Sequence, residues 1–219
     1  MLSPRTCPAC GQVLADEEEL CPDCVNHIQR TEQALNRDNS TEDIFRNLPH
    51  FVYGGCWAFY VKQTYFQLLI HNAKFGLGNP ELLRYLGRIA AREWEETGFF
   101  DGIDYIVPIP LHWRRLRERG FNQSEYICKG LSEVLNIPID TTHLTRERYN
   151  KKQSQSSFHE RLSAVRGIFS LNHPEEWYGK TIMIVDDILT TGSTLKAAIE
   201  TMKEVYNSRI VVFALAKAK

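Results

Sequence analysis

No stretch of this chain holds the roughly 18 consecutive apolar residues that a bilayer-spanning helix needs, so no membrane insertion is expected. No apolar run stands behind a basic start in "MLSPRTCPACG", so no secretory signal is expected, and the reading is of a cytoplasmic protein. Thiols stay reduced in that compartment, which turns the six cysteines from disulfides toward metal ligation or burial. There is little net charge, −1 in all, so the overall balance argues neither for nor against an acidic partner. Internal repeats and low-complexity tracts are absent, which leaves out repeat arrays. What is present is a 219-residue chain with 43% apolar residues. That length suits one α/β domain plus a small appendage, and it can bury roughly 70% of the unfolded chain's surface.

Four of the cysteines, Cys7, Cys10, Cys21 and Cys24, stand as C-x2-C-x10-C-x2-C. Each CxxC turn can aim two thiolates at one point, and four complete a closed tetrahedral Zn²⁺ site. A closed site has no position for water, so the metal is structural. Zinc would supply most of the folding energy of so small a segment, on the order of 10–16 kcal/mol. A thioredoxin-like CxxC is the alternative, but two pairs without a surrounding βαβ pattern disfavour it. Residues 1–27 are therefore read as a zinc ribbon, 28–49 as a polar linker, and 50–219 as the main domain. Acidic "DEEE" at 16–19 disfavours phosphate contact at the ribbon's tip. Cys56 and Cys128 read as buried free thiols.

From Phe51 the texture changes. Strands are expected at 56–61, after Gly54-Gly55, and at 104–110, 181–185 and 210–216. Helices are expected over 79–98, 122–135 and 194–206; the first has Asn79 to cap it, Pro80 at its first position and Gly98 to end it. Residues 145–166 are polar, basic and poorly periodic, as in a loop. Strands apolar on both faces, alternating with helices, point to an α/β fold with a mostly parallel sheet flanked by helices.

The strand "TIMIV" runs into Asp186 and Asp187, then into Thr190, Thr191, Gly192, Ser193 and Thr194, which open a helix. Ligands of open α/β sheets bind beyond the C-terminal ends of strands. Unpaired amides, the helix dipole and four hydroxyls there make a phosphate cradle. The carboxylates repel phosphate, but they accept hydrogen bonds from vicinal hydroxyls or hold Mg²⁺ through water. A ligand with a phosphate at one end and a diol a few ångströms away, such as ribose 5-phosphate, satisfies both halves. A Ser/Thr-rich N-cap after an ordinary strand leaves the acidic pair unexplained. A P-loop needs GxxxxGK[ST], and Lys196 is misplaced for it. A receiver domain carries its acidic pair early in the fold, and too few residues follow Asp186 here.

This stretch resembles the phosphoribosyl diphosphate signature of the type I phosphoribosyltransferases. "IVPIPLHWRRLRERGFNQS" at 106–124 is similar to the VPxPLHxxRxxxRGFNQ block of the ComF family, as are "AKFG" at 73–76 and the cysteines at the front. The resemblance implies a zinc ribbon joined to a type I phosphoribosyltransferase-like domain, an association with competence and DNA uptake, and phosphoribosyl diphosphate or a related ribose phosphate as ligand. It implies a pentosyl-transfer enzyme whose acidic pair is catalytic with Mg²⁺, or a protein that only recognises the phosphoribosyl group. By the same analogy "VPIPL", with Pro108 and Ile109, is the diphosphate-side loop, its backbone amides facing the ligand. The 146–167 segment, with six basic residues against two acidic ones, resembles the family's lid, Arg161 being its catalytic candidate and Lys152 a substrate contact. His71, His112 and His159 stay ambiguous. If single-stranded DNA binds, the expected track is the basic 114–119 and 146–166 segments, with Trp113 or Tyr149 stacking. A glutamine-dependent amidophosphoribosyltransferase fits poorly, because residue 2 is Leu2 and no glutaminase part precedes the domain.

Overall fold

Two strand segments, TIMIV and IVVFALA, are buried on both faces and pair with each other at the centre of a sheet. The computed structural model describes residues 4–15, 18–74, 79–146 and 168–219. Its strands are β1 (Phe51–Tyr60), β2 (Tyr105–Pro108), β3 (Leu144–Arg146), β4 (Phe169–Leu171), β5 (Thr181–Leu189) and β6 (Arg209–Ala218). The main sheet has the order β1-β6-β5-β2, and all three of its pairings are parallel. β3 and β4 form a separate antiparallel pair.

Its α-helices are α1 (Pro22–Asn26), α2 (Glu42–Phe45), α3 (Tyr65–Lys74), α4 (Glu81–Trp94), α5 (Trp113–Arg119), α6 (Gln123–Leu135) and α7 (Ser193–Thr201). Alternation along the strands sends Val211 and Phe213 to a core shared with α4 and α6, and Ile210 and Val212 to a core shared with α2 and α7. These are the two helical layers that a parallel sheet requires.

β1 begins at Phe51, five residues before the expected start, because Gly54 and Gly55 lie inside the strand rather than ahead of it. A Cβ on Gly55 would stand 3.2 Å from the rings of both Phe99 and Trp94. The glycine is there to let aromatic rings close on the strand, and it breaks nothing. β5 likewise runs past Val185 to Leu189, because its ladder with β6 continues as far as Leu189 beside Lys217. α7 ends at Thr201, short of the expected 206, and a 3₁₀ turn at Met202–Glu204 carries the chain on.

β1 pairs with β6 on one side only, which leaves a row of backbone groups needing partners. The segment between the cysteines and β1 supplies them. Arg30 bridges Ala58 in antiparallel sense, and the Phe59 amide donates to the Gln29 carbonyl at 2.8 Å. Further along, side chains replace backbone. The Cys56 amide donates to Gln33 Oε1 (2.9 Å), and Asn39 Nδ2 donates to the Gly54 carbonyl (3.0 Å). Gln33, Asn39, Thr41 and Glu42 are all buried in this role, and burial raises the Glu42 carboxyl above its ordinary range.

The cysteine-bearing segment shares the main core. Cys7, Leu20, Cys21, Cys24 and Ile28 belong to the same apolar cluster as Trp57, Leu82 and Leu86. Arg30 donates to the Val25 and Ile28 carbonyls at 2.9 and 2.6 Å and forms a 2.7 Å ion pair with Glu93 of α4. Arg88 of α4 reaches Glu19 at 3.2 Å and Glu133 of α6 at 3.2 Å. Among the described residues no helix is long and apolar enough to cross a membrane.

Candidate functional site

The in–out alternation of β5 slips at the acidic pair. Ile184 faces the α7 core and Val185 the α4–α6 core, yet Ile188 packs on the α4–α6 side and Leu189 on the α7 side. Asp186 and Asp187 occupy this irregular step, half-buried. Asp186 Oδ1 accepts from the Asp187 amide (2.9 Å) and from the Ser124 hydroxyl of α6 (3.4 Å). Asp187 Oδ1 accepts from the Ile188 amide at 2.6 Å. Both carboxylates are thereby fixed against the chain.

Five residues beyond Asp187, Gly192 caps α7 with φ +74 and has no side chain to close the helix end. The first-turn amides of a helix have no intrahelical acceptor and carry the positive end of its dipole. Thr190, Thr191 and Ser193 are exposed around them, and Thr194 is partly so. The Thr191 and Ser193 hydroxyls lie 3.3 Å apart. Gly192 itself is buried against α2: a Cβ there would stand 2.6 Å from Ile44 Cγ2 and 3.2 Å from the Phe45 ring.

β2 brings the "VPIPL" loop alongside, Pro108 being paired in register with Val185. The Ile109 amide donates to the Val185 carbonyl at 2.9 Å, and the Ile109 carbonyl accepts from Asn122 Nδ2 at 3.0 Å, so both backbone groups of Ile109 are used within the fold. Pro108 and Pro110 have no amide hydrogen, which leaves the Leu111 amide as the one this loop can offer. His112 caps α5, its Nδ1 accepting from the Arg114 amide at 3.3 Å.

Three site residues went unread in the sequence. Arg146, at the end of β3, lies over the Phe169 ring and has Arg115 and Asp186 as charged neighbours. Burial and Arg115 pull its guanidinium below the ordinary range, and Asp186 opposes them. Its Nε is buried with no hydrogen-bond partner. Gln123 Nε2, at the start of α6, is the other such atom among the described residues. Ser124 holds Asp186 as given above. The "RGFNQS" block pointed at Gln123 and Ser124; Arg146 carried no signal beyond its place in a basic run. Arg161 and Lys152, with His159 and Tyr149, lie outside the described residues, as do Asp16 and Glu17 of the acidic tip.

The Sγ atoms of Cys7, Cys10, Cys21 and Cys24 lie within 4.8 Å of one another, with Cys10 and Cys21 at 3.6 Å. A tetrahedral centre with Zn–S of about 2.3 Å sets its sulfurs about 3.8 Å apart, so the four fit zinc. Cys56 is apart from them and fully buried; burial pushes its thiol up to about 12. Cys128 is raised for the same reason. Two other concavities, of about 570 Å³ beside Arg5, Leu14 and Asn79 and about 520 Å³ beside His143 and Glu176, hold none of the expected site residues.

Residues 122–219 match the family model described as "Phosphoribosyl transferase domain". Over 192 residues the chain is 30% identical to "DNA utilization protein YhgH" of Escherichia coli O157:H7, covering 86% of this chain and 80% of the relative. It is 30% identical over 131 residues to "Competence protein F" of Haemophilus influenzae (59% of this chain, 57% of the relative). Over 99 residues it is 34% identical to "Competence protein ComFC" of Bacillus subtilis (45% and 38%). Among solved structures it is similar to a glutamine phosphoribosylpyrophosphate amidotransferase from B. subtilis, at 20% identity and TM-score 0.45 over 62% of this chain and 26% of that one. An adenine phosphoribosyltransferase gives 19% identity and TM-score 0.38 over 69% and 75%.

Proposed function

Because the chain belongs to the ComF family, we propose that its β5–α7 corner binds phosphoribosyl diphosphate, or a related ribose phosphate, and transfers or recognises the phosphoribosyl group. The Thr190–Thr194 loop would take the 5-phosphate, and Asp186 and Asp187 the ribose hydroxyls. The observation that carries this reading is the juxtaposition of unlike charges. Two fixed carboxylates stand ahead of an open helix N-terminus, its cap five residues beyond Asp187, and the Arg146 guanidinium is a charged neighbour of Asp186 with its Nε unsatisfied. A ligand that is a diol in its middle and anionic at both ends matches that order.

Neither Arg115 nor Arg146 has an ion-pair partner among the described residues, and this supports a place for both beside the diphosphate. In a transfer at C1 the diphosphate leaves with negative charge, which fixed cations stabilise. Asp186 and Asp187 have the chemistry to hold Mg²⁺, which supplies further positive charge to the leaving group when bound. Arg161 and Lys152 are proposed as basic groups of a lid that excludes water from C1. Isothermal titration with phosphoribosyl diphosphate and Mg²⁺ tests the reading. Wild type should give saturable heat, and an Asp186→Asn/Asp187→Asn variant should lose about 100-fold or more in affinity, each charged hydrogen bond contributing about 1.5–3 kcal/mol. No heat from wild type, or equal heat from the variant, would remove its basis.

A second reading, an association with single-stranded DNA, is favoured by α5. Trp113 is 39% exposed and Leu116 42% exposed, beside the exposed Arg114, Arg115 and Arg117. An exposed indole among arginines is a stacking platform with counter-charge. Binding of a single-stranded oligonucleotide should weaken several-fold or more between 50 and 200 mM salt, as phosphate contacts release counterions. A flat salt response, or undiminished binding by Trp113→Ala, would count against it.

A further inference from the structure

On the footing of the ribose-phosphate reading, we propose that Lys217 is the counter-charge of the 5-phosphate subsite, its ammonium standing behind the phosphate loop on the β6 side. The register places it there: Lys217 is the Cα partner of Leu189, the residue immediately before Thr190. The face follows from the same slip that seats the acidic pair. Ala214 packs in the α7 core, but Ala216 packs in the α4–α6 core, so Lys217 turns toward α7 and α2, as its partner Leu189 does. Its Nζ confirms the direction by donating to the Ser40 hydroxyl at 2.6 Å. Ser40 lies just ahead of α2, whose Ile44 and Phe45 are the side chains lying against Gly192.

What surrounds the ammonium does not neutralise it. Among the described residues no carboxylate lies within ion-pair distance of Lys217. The charged or titratable groups that act on it are Asp43, which is itself paired with Arg46 at 2.9 Å, and the buried Cys56 thiol. Burial pulls the Lys217 ammonium below its ordinary range. A partly desolvated cation held by a neutral hydroxyl gains from an anion that completes it.

The loop also needs what Lys217 offers. A helix N-terminus supplies roughly half an elementary charge, whereas a phosphate monoester carries about −1.5 to −2 at neutral pH. The remaining negative charge calls for a full cation, and a lysine serves as a point charge for phosphate. The hydroxyls of the loop and the Lys217 ammonium would then enclose the phosphoryl oxygens from two sides, while the acidic pair takes the diol.

Titration with ribose 5-phosphate, and separately with inorganic phosphate, distinguishes this inference from the reading beneath it. Lys217→Gln should weaken ribose 5-phosphate roughly tenfold or more, as loss of a charged hydrogen bond does, while Lys217→Arg should stay within about threefold. Inorganic phosphate should show the same ranking. Binding needs the charged lysine, so wild-type affinity should fall as pH rises through the depressed Lys217 pKa, and Lys217→Arg should hold its affinity to higher pH. If wild type binds and Asp186→Asn weakens it, yet Lys217→Gln is unchanged, the role of Lys217 is overturned and the site reading stands. If Arg is as damaging as Gln, charge is not the determinant and the inference also fails. Absence of any wild-type binding would overturn both.

Discussion

Stripping metal from the cysteine cluster with a strong chelator, or replacing Cys21 by serine, should unfold the first 30 residues and lower the melting temperature of the whole chain. Four thiolates whose sulfurs lie within 4.8 Å of one another repel unless a cation binds them. A structural zinc supplies on the order of 10–16 kcal/mol in isolated ribbons. The loss would not stay local here. Leu20, Cys21, Cys24 and Ile28 are buried in the same cluster as Leu82, Leu86 and Trp57. Arg30 ties the carbonyls of Val25 and Ile28 to Glu93, and it lies 4.5 Å from the centre of the Trp57 ring. Releasing the segment would also strip the edge of β1 of Gln29, Arg30 and Gln33. A stability loss of even 4 kcal/mol corresponds to about 10 °C for a chain of this size. Thermal melts with and without zinc read the size of the effect, and hydrogen exchange of the β1 amides reads its spread. Identical melts for the chelated and loaded protein would show that the cysteines hold no structural metal.

The pattern of strands and helices was legible because period and burial agree. IMIV (182–185) and IVVFALA (210–216) are apolar at every position, and only a strand covered on both faces makes use of that. The cysteine spacing was legible because four thiolates at one point have few other uses. The start of β1 was not, since a Gly-Gly pair reads as punctuation unless the rings of Trp94 and Phe99 are known to need the space. Nor was the work of residues 29–42. Gln33, Asn39 and Glu42 look like a solvated linker by composition, and only the unpaired edge of β1 explains their burial. The acidic pair and its loop could be picked out as a contiguous run, whereas Arg146 and Lys217 reach the same corner from separate strands. Arg146 comes from the separate β3–β4 pair and Lys217 is placed by the β5–β6 register, and neither can be read from a run of residues.

Gly192→Ala should weaken ligand binding sharply while leaving a folded, less stable chain, and the pair of effects tests both halves of the site at once. At φ +74 an L-residue pays about 1–2 kcal/mol in backbone strain. The new methyl would stand 2.6 Å from Ile44 Cγ2 and 3.2 Å from the Phe45 ring. Phe45 is fully buried and has nowhere to go; Ile44 is half-buried and can give way. Overpacking of this kind costs about 1–3 kcal/mol, so the melting temperature should drop by several degrees while the chain still folds. The loop relieves the remaining clash by moving outward, carrying the first-turn amides of α7 with it. Amides aimed at a phosphate lose their hydrogen bonds within an ångström of displacement. Affinity for ribose 5-phosphate should therefore fall about 100-fold or more. Adding Ile44→Ala removes the atom in the way, so the double variant should recover part of the affinity, and the two changes should be coupled by about 0.5–3 kcal/mol. Strain at φ +74 would remain, and recovery should stop short of wild type. Undiminished binding by Gly192→Ala would mean that no phosphate rests on this loop; simple additivity with Ile44→Ala would mean that α2 does not press on it.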